Sequence, residues 1–154
     1  MRDPFSWSFP IGRIFAITVR IHFLFPLVCL GLILRAATVK GALPGTWIDA
    51  TVVMALLFFT VLLHEFGHCF AARRVGGEAN EVLLWPLGGL AACDVPHNPR
   101  AHFFTAAGGP LVNVVICLAG ALALIFMFDL RPTWNPLWYP YRDMLRGEVG
   151  VIMY

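Results

Sequence analysis

The chain has 154 residues, 59% of them hydrophobic and only 13% charged, with a formal net charge of +2 and a mean hydropathy of +0.76. Soluble domains are roughly 45–50% apolar and 25% charged, so a water-soluble globular domain is excluded and the composition is that of an integral membrane protein. The eleven Lys and Arg are scattered and nearly matched by nine Asp and Glu, which excludes a nucleic-acid partner.

Residues 1–13 contain Pro4, Trp7 and Pro10 without helical periodicity and read as an irregular interfacial segment, where aromatic rings are favoured. It does not read as a signal peptide. Residues 14–21 are rich in β-branched side chains, and one helix over 14–34 would bury Arg20, so a short strand is expected, then a first helix over about 22–37. That helix is short for about 30 Å of hydrocarbon. His22, at the junction, reads either as a hydrogen-bonding residue at the helix start or as a group facing a substrate.

Residues 40–47 contain Gly41, Pro44 and Gly45 and read as a loop, with Asp49 or Thr51 as cap of the next helix. That helix closes at Arg73-Arg74, with Gly76-Gly77 as its stop. Residues 78–94 fit a β-hairpin broken by Pro86 and Gly88-Gly89, lying near the membrane surface, which either offers a free edge, with Val82 and Leu83 on it, to an extended peptide or only packs under the helices. A third span is expected over 103–128, where Gly108 and Gly109 let helices approach closely. Asn113 in that span either bonds a substrate carbonyl or bridges helices. Residues 129–154, with three prolines and several charges, read as an interfacial loop. The four cysteines, Cys29, Cys69, Cys93 and Cys117, show no C-x-x-C pairing and imply no disulfide framework. The expected fold is mainly α, a single polytopic core of about three transmembrane helices with a short N-terminal strand and a membrane-associated hairpin. Six basic residues against five near the span ends, with Arg73-Arg74 closing the second helix, predict the N-terminus inside.

The chemistry lies in the second helix. Residues 52–63, apolar except for Thr60, run into His64-Glu65-Phe66-Gly67-His68, an H-E-x-x-H pattern. Positions i and i+4 stack on one helix face, so His64 and His68 can present imidazoles to one Zn²⁺ while Glu65 serves as base to the attacking water. An ionisable side chain at membrane depth costs about 2.5–3.5 kcal/mol. Three within five residues need a compensating partner, and a metal supplies one.

Four stretches, VRIHFLF (19–25), LLHEFGHCFAARR (62–74), VLLWPLGGLA (82–91) and AAGGPLVN (106–113), together resemble the site-2 protease family of intramembrane zinc metalloproteases. The resemblance implies a membrane-embedded protease that cuts transmembrane protein substrates within the lipid bilayer, in the cell (inner) membrane of a prokaryote. It implies His64 and His68 as zinc ligands, Glu65 as base, and Asn113 near the substrate. The family draws a third ligand from an Asp-Gly motif in a later span, which this sequence lacks. Asp143, after Pro140, is the remaining candidate, and the expectation is a chain truncated before that motif. The competing expectation is a non-catalytic membrane protein of the same fold that binds partner helices.

Overall fold

The computed structural model describes residues 7–40 and 44–128. Seven elements follow in chain order: β1 (Ser8–Ile14), β2 (Ile17–His22), α1 (Leu24–Thr38), α2 (Thr46–Arg74), β3 (Glu78–Trp85), β4 (Gly88–Asp94) and α3 (Pro99–Phe128). The strands form one four-stranded sheet in the order β1-β2-β3-β4. The chain divides into two units after Ile116. The first holds the sheet, α1, α2 and the first turns of α3, and the described residues of the second are the last turns of α3.

The segment expected to be irregular contains β1, which pairs antiparallel with β2 from Ser8↔His22 to Ile14↔Ile17. Pro10 and Gly12 hid it from pattern reading, and they mark the place where the register slips. The connection is two residues, Phe15 and Ala16, with φ of 52° and 62°. Hairpins of this length favour Asn-Gly, because a side chain in the left-handed region costs roughly 1–2 kcal/mol. Docking offsets that cost: the Phe15 ring packs on Phe66 and Phe70 at 6.2 and 5.5 Å, and Arg73 donates to the Phe15 carbonyl at 2.7 Å.

β2 and β3 run parallel, Thr18↔Glu81 to Ile21↔Leu84, so the connection between them must cross over, and α1 and α2 make it. β3 is therefore an interior strand, paired with β2 on one side and β4 on the other. This corrects the placing of Val82 and Leu83 on a free edge: both are buried, and the open edge beside the hairpin belongs to β4.

The core lies between this sheet and one stripe of α2. Leu62, Phe66, Cys69 and Ala72 recur at helical spacing and meet Ile17, Val19, Ala79, Val82 and Leu84 from β2 and β3. Much of the rest of α2 is apolar and exposed, with Leu56, Leu57, Phe59, Leu63 and Phe70 open to the surroundings. α2 and α3 are long and apolar enough to cross a membrane, with mean hydropathy 2.0 and 2.3 over their best windows and only 6% of either window buried. A core helix of a soluble protein would be mostly buried. α1 has 15 residues, about 22 Å at 1.5 Å per residue, short of about 30 Å of hydrocarbon. Two helices rather than three thus meet the length for a span among the described residues.

Helix starts differ from expectation for local reasons. α2 begins at Thr46 behind Gly45, whose φ of 96° turns the chain into the helix, with neither Asp49 nor Thr51 as cap. α3 begins four residues early because Asn98 Oδ1 accepts the Ala101 N–H at 2.8 Å and Pro99 fits a first helical position. His22 serves its helix start: its Nδ1 accepts the Leu24 N–H at 3.3 Å.

Candidate metal centre

Two faces of one turn of α2 build the site. Glu65 shares the core stripe with Leu62, Phe66 and Cys69 and is buried towards the sheet, while His64 and His68 turn towards α3. Close helix approach makes the second contact possible. A Cβ on Gly67 would strike the Gly108 carbonyl, and one on Gly108 would strike that of Gly67, so the backbones touch where both residues lack side chains.

That approach brings the Thr105 carbonyl 2.7 Å from His68 Nδ1. A carbonyl only accepts, so His68 carries its proton on Nδ1 and keeps a lone pair on Nε2. His68 Nε2 stands 3.1 Å from His64 Nε2, and the rings meet edge to face with centroids 4.8 Å apart. Both nitrogens border one small space. A Cβ on Gly109 would fall against both, so the space between the imidazoles exists because position 109 has no side chain.

The donor set suits zinc. Two nitrogens bound to one zinc at about 2.0–2.1 Å with near-tetrahedral angles stand roughly 3–3.5 Å apart, and the lone pair on His68 Nε2 faces the shared space. A backbone carbonyl behind a ligating histidine is the usual orienting partner. Among the described residues no group of three His, Cys, Asp or Glu is placed to hold a metal, and Asp143 lies outside them.

Glu65 is held by the sheet. Gly89, on β4, lies so close that a Cβ there would meet the Cγ, Cδ and Oε1 of Glu65. Beside it opens a cleft of about 240 Å³ lined by Thr60, Val61, His64, Glu65, Gly88, Gly89 and Asn113. Asn113, the residue expected near a substrate, thus shares the cleft with His64 and Glu65. Its Oδ1 is buried without a hydrogen-bond partner, as are His64 Nδ1 and Thr105 Oγ1.

Sequence reading missed Thr105 and what Gly109 and Gly89 lie against, though it expected Gly109 at a close helix approach, as found. The first acts through its main chain and the other two through a missing Cβ, so no side-chain chemistry announces them. The doubled glycines, Gly88-Gly89 and Gly108-Gly109, were the available signal.

Residues 52–149 match the profile of peptidase family M50. The chain belongs to that family, the site-2 protease family. Among M50 relatives, the zinc metalloprotease MJ0392 of Methanocaldococcus jannaschii is 30% identical over 138 residues, covering 87% of this chain and 37% of the relative. The putative zinc metalloprotease Rip3 of Mycobacterium tuberculosis is 31% identical over 135 residues, covering 80% of this chain and 33% of the relative. The solved site-2 protease from Methanocaldococcus jannaschii superposes with a TM-score of 0.60 at 29% identity, over 79% of this chain and 52% of that one. The chain thus spans about a third of the length of these curated M50 relatives.

Proposed function

We propose that this chain carries the histidine and glutamate half of an intramembrane zinc metalloprotease, which hydrolyses peptide bonds in or near transmembrane segments of membrane proteins. The observation that carries the reading is the convergence of His64 and His68 Nε2 at 3.1 Å, beside a buried Glu65, on a helix with a long run of exposed apolar side chains. Membrane embedding follows from the same surface, because two long apolar helices with so little buried area need lipid around them. The family relation and the relatives' description as zinc metalloproteases support the metal and the reaction class.

His64 and His68 would hold the zinc, His68 in the tautomer fixed by the Thr105 carbonyl. When bound, zinc supplies Lewis-acid polarisation of the scissile carbonyl and acidifies the attacking water. Glu65 accepts the proton of that water on its carboxylate and returns it to the leaving amine, and its burial beside Gly89 holds the carboxylate at the edge of the cleft. Gly88 and Gly89 keep the cleft wall low enough for a main chain to enter. The Asn113 amide can hold a substrate carbonyl through Nδ2, while its unpartnered Oδ1 accepts a substrate N–H. An extended substrate can add to the open edge of β4 through main-chain hydrogen bonds. Cleavage of a helix needs such unwinding, because helical carbonyls are already bonded within the helix.

Two measurements test this. Zinc content of the purified chain in detergent should approach one per chain and fall on His64→Ala. In the longer protein, cleavage of a transmembrane substrate should vanish on Glu65→Gln while zinc stays. Cleavage unaffected by both substitutions would sink the proposal.

A further inference from the structure

Three elements meet at the end of the molecule where α2 stops. Arg73 brings the β1–β2 turn there by donating to the carbonyls of Phe15 and Ala16. α3 starts there too: Gly77, just past α2, lies against Val95, and His68 bonds Thr105, each within two turns of its helix's end. Each element repeats one order, a cation outermost and an aromatic ring next to it. β1 and its turn carry Arg13 and Phe15, α2 carries Arg74 and Phe70, and α3 opens with Arg100 followed by Phe103 and Phe104. All of these side chains are exposed, and Phe15 meets Phe70 edge to face at 5.5 Å, which joins two of the three elements into one surface.

The cations of this rim are unpartnered. Arg20 donates to Ser8 and Arg73 to carbonyls of the sheet, whereas Arg13, Arg74 and Arg100 make no hydrogen bond or ion pair among the described residues. The nearby carboxylates, Glu78, Glu81 and Asp94, gather about a separate cleft on β3 and β4. α2 has 29 residues, about 44 Å at 1.5 Å per residue, which matches the roughly 40–45 Å of a bilayer with both headgroup layers. Its last turn therefore falls among headgroups when its apolar surface lies in hydrocarbon. Below the rings the exposed side chains turn aliphatic, with Leu63 on α2 and Leu111 on α3, the order of polarity across that boundary.

We infer that this rim binds the headgroups of anionic phospholipids. Arg13, Arg74 and Arg100 hold the phosphate and its neighbouring oxygens, while Phe15, Phe70, Phe103 and Phe104 rest on the upper acyl chains. A guanidinium suits the task because its fork of N–H donors matches phosphate oxygens. The opposite end is different in charge: Arg35 and Lys40 stand there with Asp49 in the first turn of α2. Holding α2 and α3 to one headgroup layer fixes the depth at which His64 and His68 lie. The rim depends on the membrane embedding proposed above, and on neither the metal nor the reaction.

The test titrates the purified full chain, delipidated in maltoside detergent, with phosphatidylglycerol or with phosphatidylcholine of the same acyl chains, and reads bound lipid by native mass spectrometry. A basic group near an anionic headgroup is worth about fivefold, the equivalent of about 1 kcal/mol, so phosphatidylglycerol should bind about fivefold or more tightly than phosphatidylcholine. The preference should shrink as salt is raised. Arg13→Gln, Arg74→Gln and Arg100→Gln together should abolish it with phosphatidylcholine binding kept, whereas Arg35→Gln with Lys40→Gln should leave it in place. Equal binding of the two lipids by the unsubstituted chain overturns the inference, whatever the variants do. So does a preference that survives the triple substitution, or one that Arg35→Gln with Lys40→Gln removes as fully. Displacement of phosphatidylglycerol by glycerol phosphate at equal concentration would show a small-anion site in place of a lipid face, and overturns it too. Binding of neither lipid would overturn the membrane reading as well, which separates that failure from a mere lack of preference.

Discussion

Gly109→Ala tests the metal centre at its narrowest point. The added methyl falls on the Nε2 atoms of both His64 and His68, so either the imidazoles rotate or α3 withdraws. Withdrawal would pull apart the close main-chain packing of Gly108 on Gly67 one residue away. The imidazoles must give instead. Turning each about 30° from its rotamer costs roughly 0.5–1.5 kcal/mol, and losing the His68 bond to the Thr105 carbonyl costs about 1 kcal/mol more. The sum, about 2–4 kcal/mol, corresponds to zinc binding weakened roughly 30- to 1000-fold. The assay is competition for zinc against a chromophoric chelator on the purified chain, with circular dichroism to confirm retained helix. Gly120→Ala on the same helix is the control, because a Cβ there meets nothing within 4 Å, and it should leave zinc affinity unchanged. If Gly109→Ala binds zinc within about threefold of the parent, below the smallest effect worked above, the space at Gly109 is not where the metal sits.

Gly89→Ala places a methyl on the Glu65 carboxylate and should lower cleavage by the longer protein about 10²-fold or more, the low end of a general base's contribution, with zinc content unchanged. Arg73→Met removes donors to the carbonyls of Phe15, Ala16 and Ala79; at roughly 1.5–3 kcal/mol per charged hydrogen bond, non-additive, it should lower the thermal midpoint by several degrees. Arg73→Lys should rescue it only in part, since a single ammonium cannot span the three carbonyls. Val82→Pro removes a ladder donor from an interior strand, so zinc binding and processing should fall together with the fold; a variant that keeps zinc but loses processing would contradict the interior placing.

His64, Glu65 and His68 were legible because helical spacing alone settles which side chains share a turn. The hairpin and the long apolar helices were legible for the same reason, since periodicity and length are local. The parallel pairing of β2 with β3 was not, because it joins segments some sixty residues apart, Thr18 with Glu81 for example, and no local pattern records a crossover. β1 was lost to Pro10, Gly12 and a turn made by Phe15-Ala16, residues that ordinarily speak against a hairpin. Asn98-Pro99, by contrast, is a legible helix start that the apolar pattern beginning at Phe103 obscured. Arg73 was read as a basic end facing lipid headgroups, whereas its guanidinium binds main-chain carbonyls of the sheet.

The same turn of α2 meets two different neighbours, and that division explains why so few residues build the site. Side chains at 64 and 68 lie on the face towards α3, while 62, 65, 66 and 69 lie towards the sheet. The proposed ligands are thus placed by a helix that meets them with Gly109 and the Thr105 carbonyl, and the proposed base by a strand that meets it with Gly89. Glycine at these contacts puts main chain, rather than adjustable side chains, against the imidazoles and the carboxylate, so these are positioned by backbone that the helix and sheet hydrogen bonds already fix. Substitutions at 89 and 109 should therefore separate the two functions: alanine at 89 disturbs the base through the sheet with the metal intact, and alanine at 109 disturbs the metal through α3 with the base intact. Loss of both properties from either single substitution would mean that sheet and α3 do not act on the turn independently.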